Sequence, residues 1–182
     1  GLIISVFVIL KFIVPQILAG HDPLFISIAG SFIIMISTIF LAHGFSKKTG
    51  VALVSTFFTL MATGILAVLF VSLTRLSGLG TEDSYLLQFG PEGLNLQGLL
   101  LGGIIIGTLG VLDDITTAQS AAIFELARAN KKFSMTELFS RGMNIGREHV
   151  ASLVITLVLA YAGACLSLFI LFVLNPTNQP YW

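Results

Sequence analysis

Charge is what this sequence has least of. Only 18 of its 182 residues are Asp, Glu, Lys or Arg, a share of 10%, where a soluble domain carries about 25%. Nine acidic residues balance nine basic ones. With no cationic excess to seek a phosphate backbone, nucleic-acid binding is excluded. Cysteine occurs once, as Cys165 in an apolar run, which excludes an internal disulfide framework and a cysteine zinc cluster. No nucleophile–base pair, phosphate loop or dinucleotide fingerprint is present, so neither an enzyme nor a cofactor is expected. Gly102, Gly103 and Gly107 stand outside any βαβ context and read as helix packing. What the sequence does have is apolar bulk: 55% hydrophobic residues, among them 15 Phe. A soluble chain of this length cannot hide so much apolar surface. The composition predicts an all-α polytopic membrane helical bundle, with the lipid bilayer as its first partner.

A helix needs about 20 mostly apolar residues to cross the hydrocarbon. Five segments qualify, at roughly 2–20, 24–43, 51–73, 97–117 and 150–174. They are about twice the length of barrel strands and do not alternate. Pro15 falls inside the first and is expected to kink or shorten it, and Asn175-Pro176 ends the last. A signal-peptide reading of Leu2–Leu18 fails for want of a basic region before it and because Lys11 interrupts it. The chain opens on Gly1 directly into apolar sequence, so an upstream region of a longer protein is expected. No repeat or internal boundary is visible, and residues 1–182 read as a single transmembrane domain.

The connections are unequal. Gly20-His21-Asp22-Pro23 is a tight turn. The 74–96 loop carries Thr81-Glu82-Asp83-Ser84, a cap for one short helix. In the long 118–149 connection, Gln119–Ala129 continues the fourth span by periodicity. Ser134-Met135-Thr136-Glu137 then matches a capping box that starts a helix running into the fifth span. Lys and Arg stay cytoplasmic. Lys47, Lys48, Arg128, Lys131, Lys132, Arg141 and Arg147 lie in the second and fourth loops, against Arg75 alone in the others. Loops 43–50 and 118–149 are therefore expected in the cytoplasm. The Glu82/Asp83/Glu92 loop and the Tyr181-Trp182 tail are expected outside.

The fourth span carries the most information. Gly103, Gly107, Gly110 and Asp114 recur at i, i+4, i+7 and i+11, one face of a helix. Glycines so spaced allow close backbone approach, and this face continues through Ala118, Ala121 and Glu125. Asp113 lies about 100° round, above Thr117 and Ser120. The acidic pair is about 24 Å from Gln97 along the axis, near the cytoplasmic end. Two readings stay open. In one the carboxylates answer Arg141 or Arg147 and lock the loop to the bundle. In the other they form a cation or proton site at the inner mouth of a pathway, since adjacent carboxylates that repel when both ionise suit proton-coupled transport. Asp114 is expected to point into the bundle, and Asp113 toward the second or fifth helix or the loop, with at least one within salt-bridge reach of Arg141, Arg147 or His149. His43, Arg141, Asn144, Arg147, Glu148 and His149 are candidate partners on the same side. No HxxxH or ExxH spacing supports a metal site.

Other spans add hydroxyls. Ser55, Thr59 and Thr63 share a face of the third, with Thr56 beside them. Ser31, Met35 and Thr38 share one of the second, and Ser152 and Thr156 one of the fifth. Such hydroxyls usually bond their own i−4 carbonyl or a neighbouring helix, worth about 0.6 kcal/mol; a polar lining for a substrate path is the alternative. Lys11 is long enough to snorkel.

Three blocks carry a family resemblance. They are Gly107-Thr-Leu-Gly-Val-Leu-Asp-Asp-Ile-Thr-Thr-Ala-Gln-Ser-Ala through Phe124-Glu-Leu; Ser140-Arg-Gly-Met-Asn-Ile-Gly-Arg-Glu-His149 with Leu159-Ala-Tyr-Ala-Gly-Ala164; and His43-Gly-Phe-Ser-Lys-Lys-Thr49. In this order they resemble the YibE/F family of bacterial multi-pass membrane proteins. The resemblance implies a bacterial cell-membrane protein with a further N-terminal hydrophobic segment and an extracytoplasmic region, in a family for which transport is a proposed role. It points to Asp114 and to the Gly142–Arg147 block. The expected function is a transporter or permease subunit with an acidic site at the cytoplasmic end of the fourth and fifth helices. The alternative is a scaffold or receptor subunit binding another membrane protein through Gly103, Gly107 and Gly110. Five helices are few for a carrier, so a homo-oligomer or a second membrane subunit is expected in either case.

Overall fold

The computed structural model describes residues 1–80, 82–89 and 94–174. Glu92, the Thr81 cap, Asn175-Pro176 and the Tyr181-Trp182 tail lie outside the described residues. Every regular element described is helical: α1 (Leu2–Val8), a π-helical turn (Ile9–Ile13), α2 (Val14–Leu18), α3 (Pro23–His43), α4 (Lys47–Leu73), α5 (Glu82–Leu87), α6 (Leu96–Ala129), α7 (Met135–Ala164) and α8 (Leu166–Leu174). Four of these, α3, α4, α6 and α7, are long and apolar enough to cross a membrane; Leu2–Leu18 is a shorter apolar run. The all-α class stands. The chain parts into two compact units, Gly1–Lys131 and Lys132–Trp182, at a position no composition change marks.

The local signals placed most boundaries. Asp22 caps α3 by accepting the Phe25 N–H at 2.9 Å, with Pro23 at the first helical position, where a missing N–H costs nothing. Ser46 caps α4 through the Thr49 N–H at 3.2 Å. At the start of α7, Ser134 accepts the Glu137 N–H while the Glu137 carboxylate accepts the Ser134 N–H at 2.9 Å, the expected capping box. Helix α6 runs unbroken through Gln119–Ala129, and α7 runs from Met135 into the fifth span. That span breaks once, at Cys165, two residues after Gly163, a weak helix former.

The disturbance expected at Pro15 takes the form of a π-helical turn. The chain widens into the π-helical turn just before it, where the Val14 N–H reaches the Ile9 carbonyl. Spreading the turn gives the proline ring room without breaking the helix. The same turn seats Ile13, 2% exposed, on α3 at Gly30. A Cβ at Gly30 would stand 2.4 Å from Ile13 Cγ1 and Cδ1, so only glycine lets the two helices meet there.

In the first unit α6 packs on both α3 and α4, and α1 packs on α3. The core holds Ile13, Met35, Ile39, Leu60, Ile105 and Leu109. Outward, α4 presents Val51, Val54, Phe58, Ile65 and Leu69, an aliphatic and aromatic surface suited to lipid rather than water.

Candidate functional site: a carboxylate and hydroxyl seam

Two pairs of close neighbours fix how α3 lies on α6. A Cβ at Gly102 would meet Ser27 Oγ at 2.3 Å, and Thr38 Oγ1 stands 3.5 Å from Asp113 Oδ2. Both pairs are 75 residues apart, so the helices run parallel in one register. Helix α4 runs the other way: Ser120 Oγ donates to the Lys48 carbonyl at 2.9 Å, and Thr56 pairs hydroxyl to hydroxyl with Thr116. The three helices thus bring a set of polar groups together at one end of the bundle.

Asp113 is the centre of this set. It is half-buried, some 25 Å along α6 from Leu96 at 1.5 Å per residue. Thr38 donates to the Ile34 carbonyl at 2.8 Å and also faces the carboxylate. The second oxygen, Oδ1, is buried without a hydrogen-bond partner among the described residues. Thr117 Oγ1 donates to the Asp113 carbonyl at 2.7 Å, and His43 and Asp114 are ionisable groups whose fields reach the side chain. Beyond Thr117 opens a cleft of ≈ 100 Å³ lined by His43, Ser46, Lys48, Thr49, Thr117 and two alanines. A buried carboxylate oxygen is costly unless paired, hydrated or protonated. This one, one helical turn from the cleft, is suited to accept a proton or a small cation.

The expected acidic pair separates. Asp113 faces Thr38 of α3, the second of the expected spans, but Asp114 is exposed rather than turned into the bundle. The glycine face goes with it: Gly103, Gly107 and Gly110 are exposed, and nothing in the first unit lies within 4 Å of a Cβ built on any of them. Gly107, expected to face another helix at close backbone distance, has no such neighbour in the first unit. The face turned to α3 and α4 holds Gly98, Leu101, Gly102, Ile105, Leu109 and Ser120. Both faces carry spaced glycines, but only this one also offers side chains that interdigitate with the neighbouring helices.

The other residues sort by unit. His43 is exposed at the end of α3 and lines the cleft. Glu125 sits about 18 Å further along α6 than Asp113, paired with Lys48 at 3.7 Å and Arg128 at 3.5 Å. It is a clasp between α4 and α6, not part of the Asp113 set. Arg141, Asn144, Arg147, Glu148 and His149 belong to α7 in the second unit, all exposed, with the Arg141 guanidinium 4.5 Å over the Phe133 ring. Among the described residues no three His, Cys, Asp or Glu side chains gather to hold a metal.

Thr116, Ser27 and Thr49 were not legible as site residues. On α4 the buried hydroxyls are Thr49 and Thr56, 3% and 0% exposed. Ser55 and Thr59 are exposed, Thr59 bonding the Ser55 carbonyl at 2.8 Å. The usable signal was heptad-like spacing with α6: Ile105, Leu109, Thr116 and Ser120 form one stripe, and a hydroxyl facing it from α4 belongs at Thr56.

No curated protein and no solved structure matches the chain. The YibE/F-like protein family model matches residues 1–181. With four helices able to cross a membrane and a match over nearly its whole length, the chain belongs to the YibE/F-like protein family.

Proposed function

We propose that this membrane protein is a transporter or permease subunit of the bacterial cell membrane whose acidic site is Asp113. One observation carries the reading: a buried, unpartnered carboxylate oxygen on a membrane helix, one helical turn from Thr117, which lines a cleft with other hydroxyls. Ionisable groups within spans are expensive, and they mark ion paths and proton relays when they persist. Asp113, rather than Asp114, takes the proton or cation, Thr38 orients its carboxylate, and His43 stands at the mouth. The Lys and Arg asymmetry supports a cytoplasmic location for loops 43–50 and 118–149, with loop 74–96 and the C-terminus outside. The mouth then opens to the cytoplasm. The reading gives the chain no catalytic chemistry, and its few helices favour a homo-oligomer or a second membrane subunit. A proteoliposome uptake screen over protons and monovalent cations tests it: flux in the parent chain that Asp113→Asn removes supports it, and absence of any flux contradicts it.

A second reading has its own observation. Gly103, Gly107 and Gly110 leave a smooth exposed stripe on α6, which suits a scaffold that binds another membrane protein by small-residue packing. Under it, Gly107→Leu folds normally and loses association in detergent.

A further inference from the structure

Two buried polar atoms of the first unit lack a hydrogen-bond partner among the described residues: Asp113 Oδ1 and Ser31 Oγ. Such atoms are few in proteins, and each asks for a reason. Ser31 is 0% exposed. On α3 it follows Ser27 by four residues and precedes Thr38 by seven, so all three share the face that meets α6. The fixed register sets Ser31 level with Ile106, about 10 Å along the axis from Asp113. Between the two levels the helices contribute buried apolar side chains: Ile34 at 6% exposure and Met35 at 1% from α3, Leu60 at 2% from α4 and Leu109 at 3% from α6. The placing of Leu60 follows from its neighbours on α4, since Thr56 pairs with Thr116 and Gly64 abuts Ile105.

We propose that the seam between α3 and α6 is a proton route, with Asp113 and Ser31 as stations on either side of a closed barrier formed by Met35, Leu60 and Leu109. The proposal rests on the transport reading and names its substrate as the proton. A metal cation such as Ca²⁺ or Mg²⁺ requires about six or more oxygen ligands. At the level of Ser31, α6 offers Ile105 and Ile106, and beyond it Ser27 and Gly102 are too close to admit anything larger. A hydroxyl suffices for a proton. It accepts one on an oxygen lone pair as its own proton departs toward the carboxylate, through bulk water admitted when the barrier parts. Ser31 ends as it began and the Asp113 carboxylate becomes a carboxylic acid; only O–H bonds form and break.

The test uses the full chain in proteoliposomes with the exposed Cys165 replaced by Ser. A thiol at position 31 (Ser31→Cys) is expected to resist a small water-soluble thiol reagent, while one at position 117 in the cleft (Thr117→Cys) reacts. Adding Met35→Ser should raise the rate at position 31 more than about tenfold, because a thiolate must be hydrated to form. With Ser31 intact, Met35→Ser should produce a proton leak, read by a trapped pH dye, that the parent lacks. Leu109→Ser is the parallel variant should Met35→Ser not reach the membrane. Equal reactivity at position 31 with and without the barrier substitution overturns the proposal. So does an open barrier that passes no protons, even if Asp113→Asn still abolishes flux and the transport reading stands. A leak through the opened barrier in a chain without flux of its own supports the route while removing the transport reading.

Discussion

Gly102→Val puts the assigned face of α6 at risk. Its Cβ would lie 2.3 Å from Ser27 Oγ, 3.1 Å from Ser27 Cβ and 3.3 Å from the Pro23 carbonyl oxygen. The hydroxyl can rotate aside, but the Ser27 Cβ and the Pro23 backbone are fixed parts of α3, and Ser27 is 2% exposed. The branched methyls of valine then force α3 and α6 apart. Overpacking of this kind costs about 1–3 kcal/mol, and two backbone-anchored contacts place this case near the top of that range. The helix propensity gained on leaving glycine returns only about 0.5 kcal/mol. At roughly 2–4 °C per kcal/mol, the net loss of about 2.5 kcal/mol should lower the melting temperature of the detergent-solubilised protein by about 5–10 °C. Ser27→Gly clears both Ser27 atoms, so the double variant should recover much of the loss, with a coupling above about 0.5 kcal/mol. Gly107→Val should shift melting little, within about 0.5 kcal/mol. A Gly102→Val protein that melts with the parent, or a Gly107→Val protein that melts lower than it, would refute the assignment of the buried face.

Thr56→Val keeps the shape of the side chain and removes the hydroxyl pair with Thr116; about 0.6 kcal/mol should be lost in melting experiments, the average for such bonds in membranes. Ser134→Ala removes the N-cap half of the capping box and should cost about 0.5–2 kcal/mol, seen as faster amide exchange confined to the first turn of α7. Cysteines introduced at Lys48 and Lys131 should be shielded from an impermeant reagent added outside cells, and one at Asp83 should label; outside labelling at Lys131 would reverse the orientation.

The helical class, the long apolar helices and the Ser134 cap were legible because each rests on local physics. An apolar run of sufficient length needs no partner to be recognised, and Ser134 with Glu137 makes its bonds within one turn. The faces of α6 were not legible. Glycines at 103, 107 and 110 and at 98 and 102 give equivalent periodic patterns, and which set is buried depends on what another helix presents. Here Ser27 and Pro23 of α3 decide it, residues about 75 positions away that the sequence of α6 cannot announce. The same holds for the carboxylates: Asp113 and Asp114 are adjacent in sequence, yet about 100° of helix rotation sets one against Thr38 and leaves the other exposed. Pro15 marked where the helix is disturbed, but the proline alone does not announce a π turn, nor that the turn sets Ile13 against Gly30 of α3.

The most direct measurement is a comparison of proton flux in proteoliposomes carrying Asp113→Asn or Asp114→Asn, each checked for an unchanged melting temperature. Asn at 113 keeps an acceptor for Thr38 but cannot exchange a proton, whereas Asp114 lies on the exposed face. The account predicts that flux is lost in Asp113→Asn and retained in Asp114→Asn. Flux that survives in Asp113→Asn, or disappears only in Asp114→Asn, would contradict it.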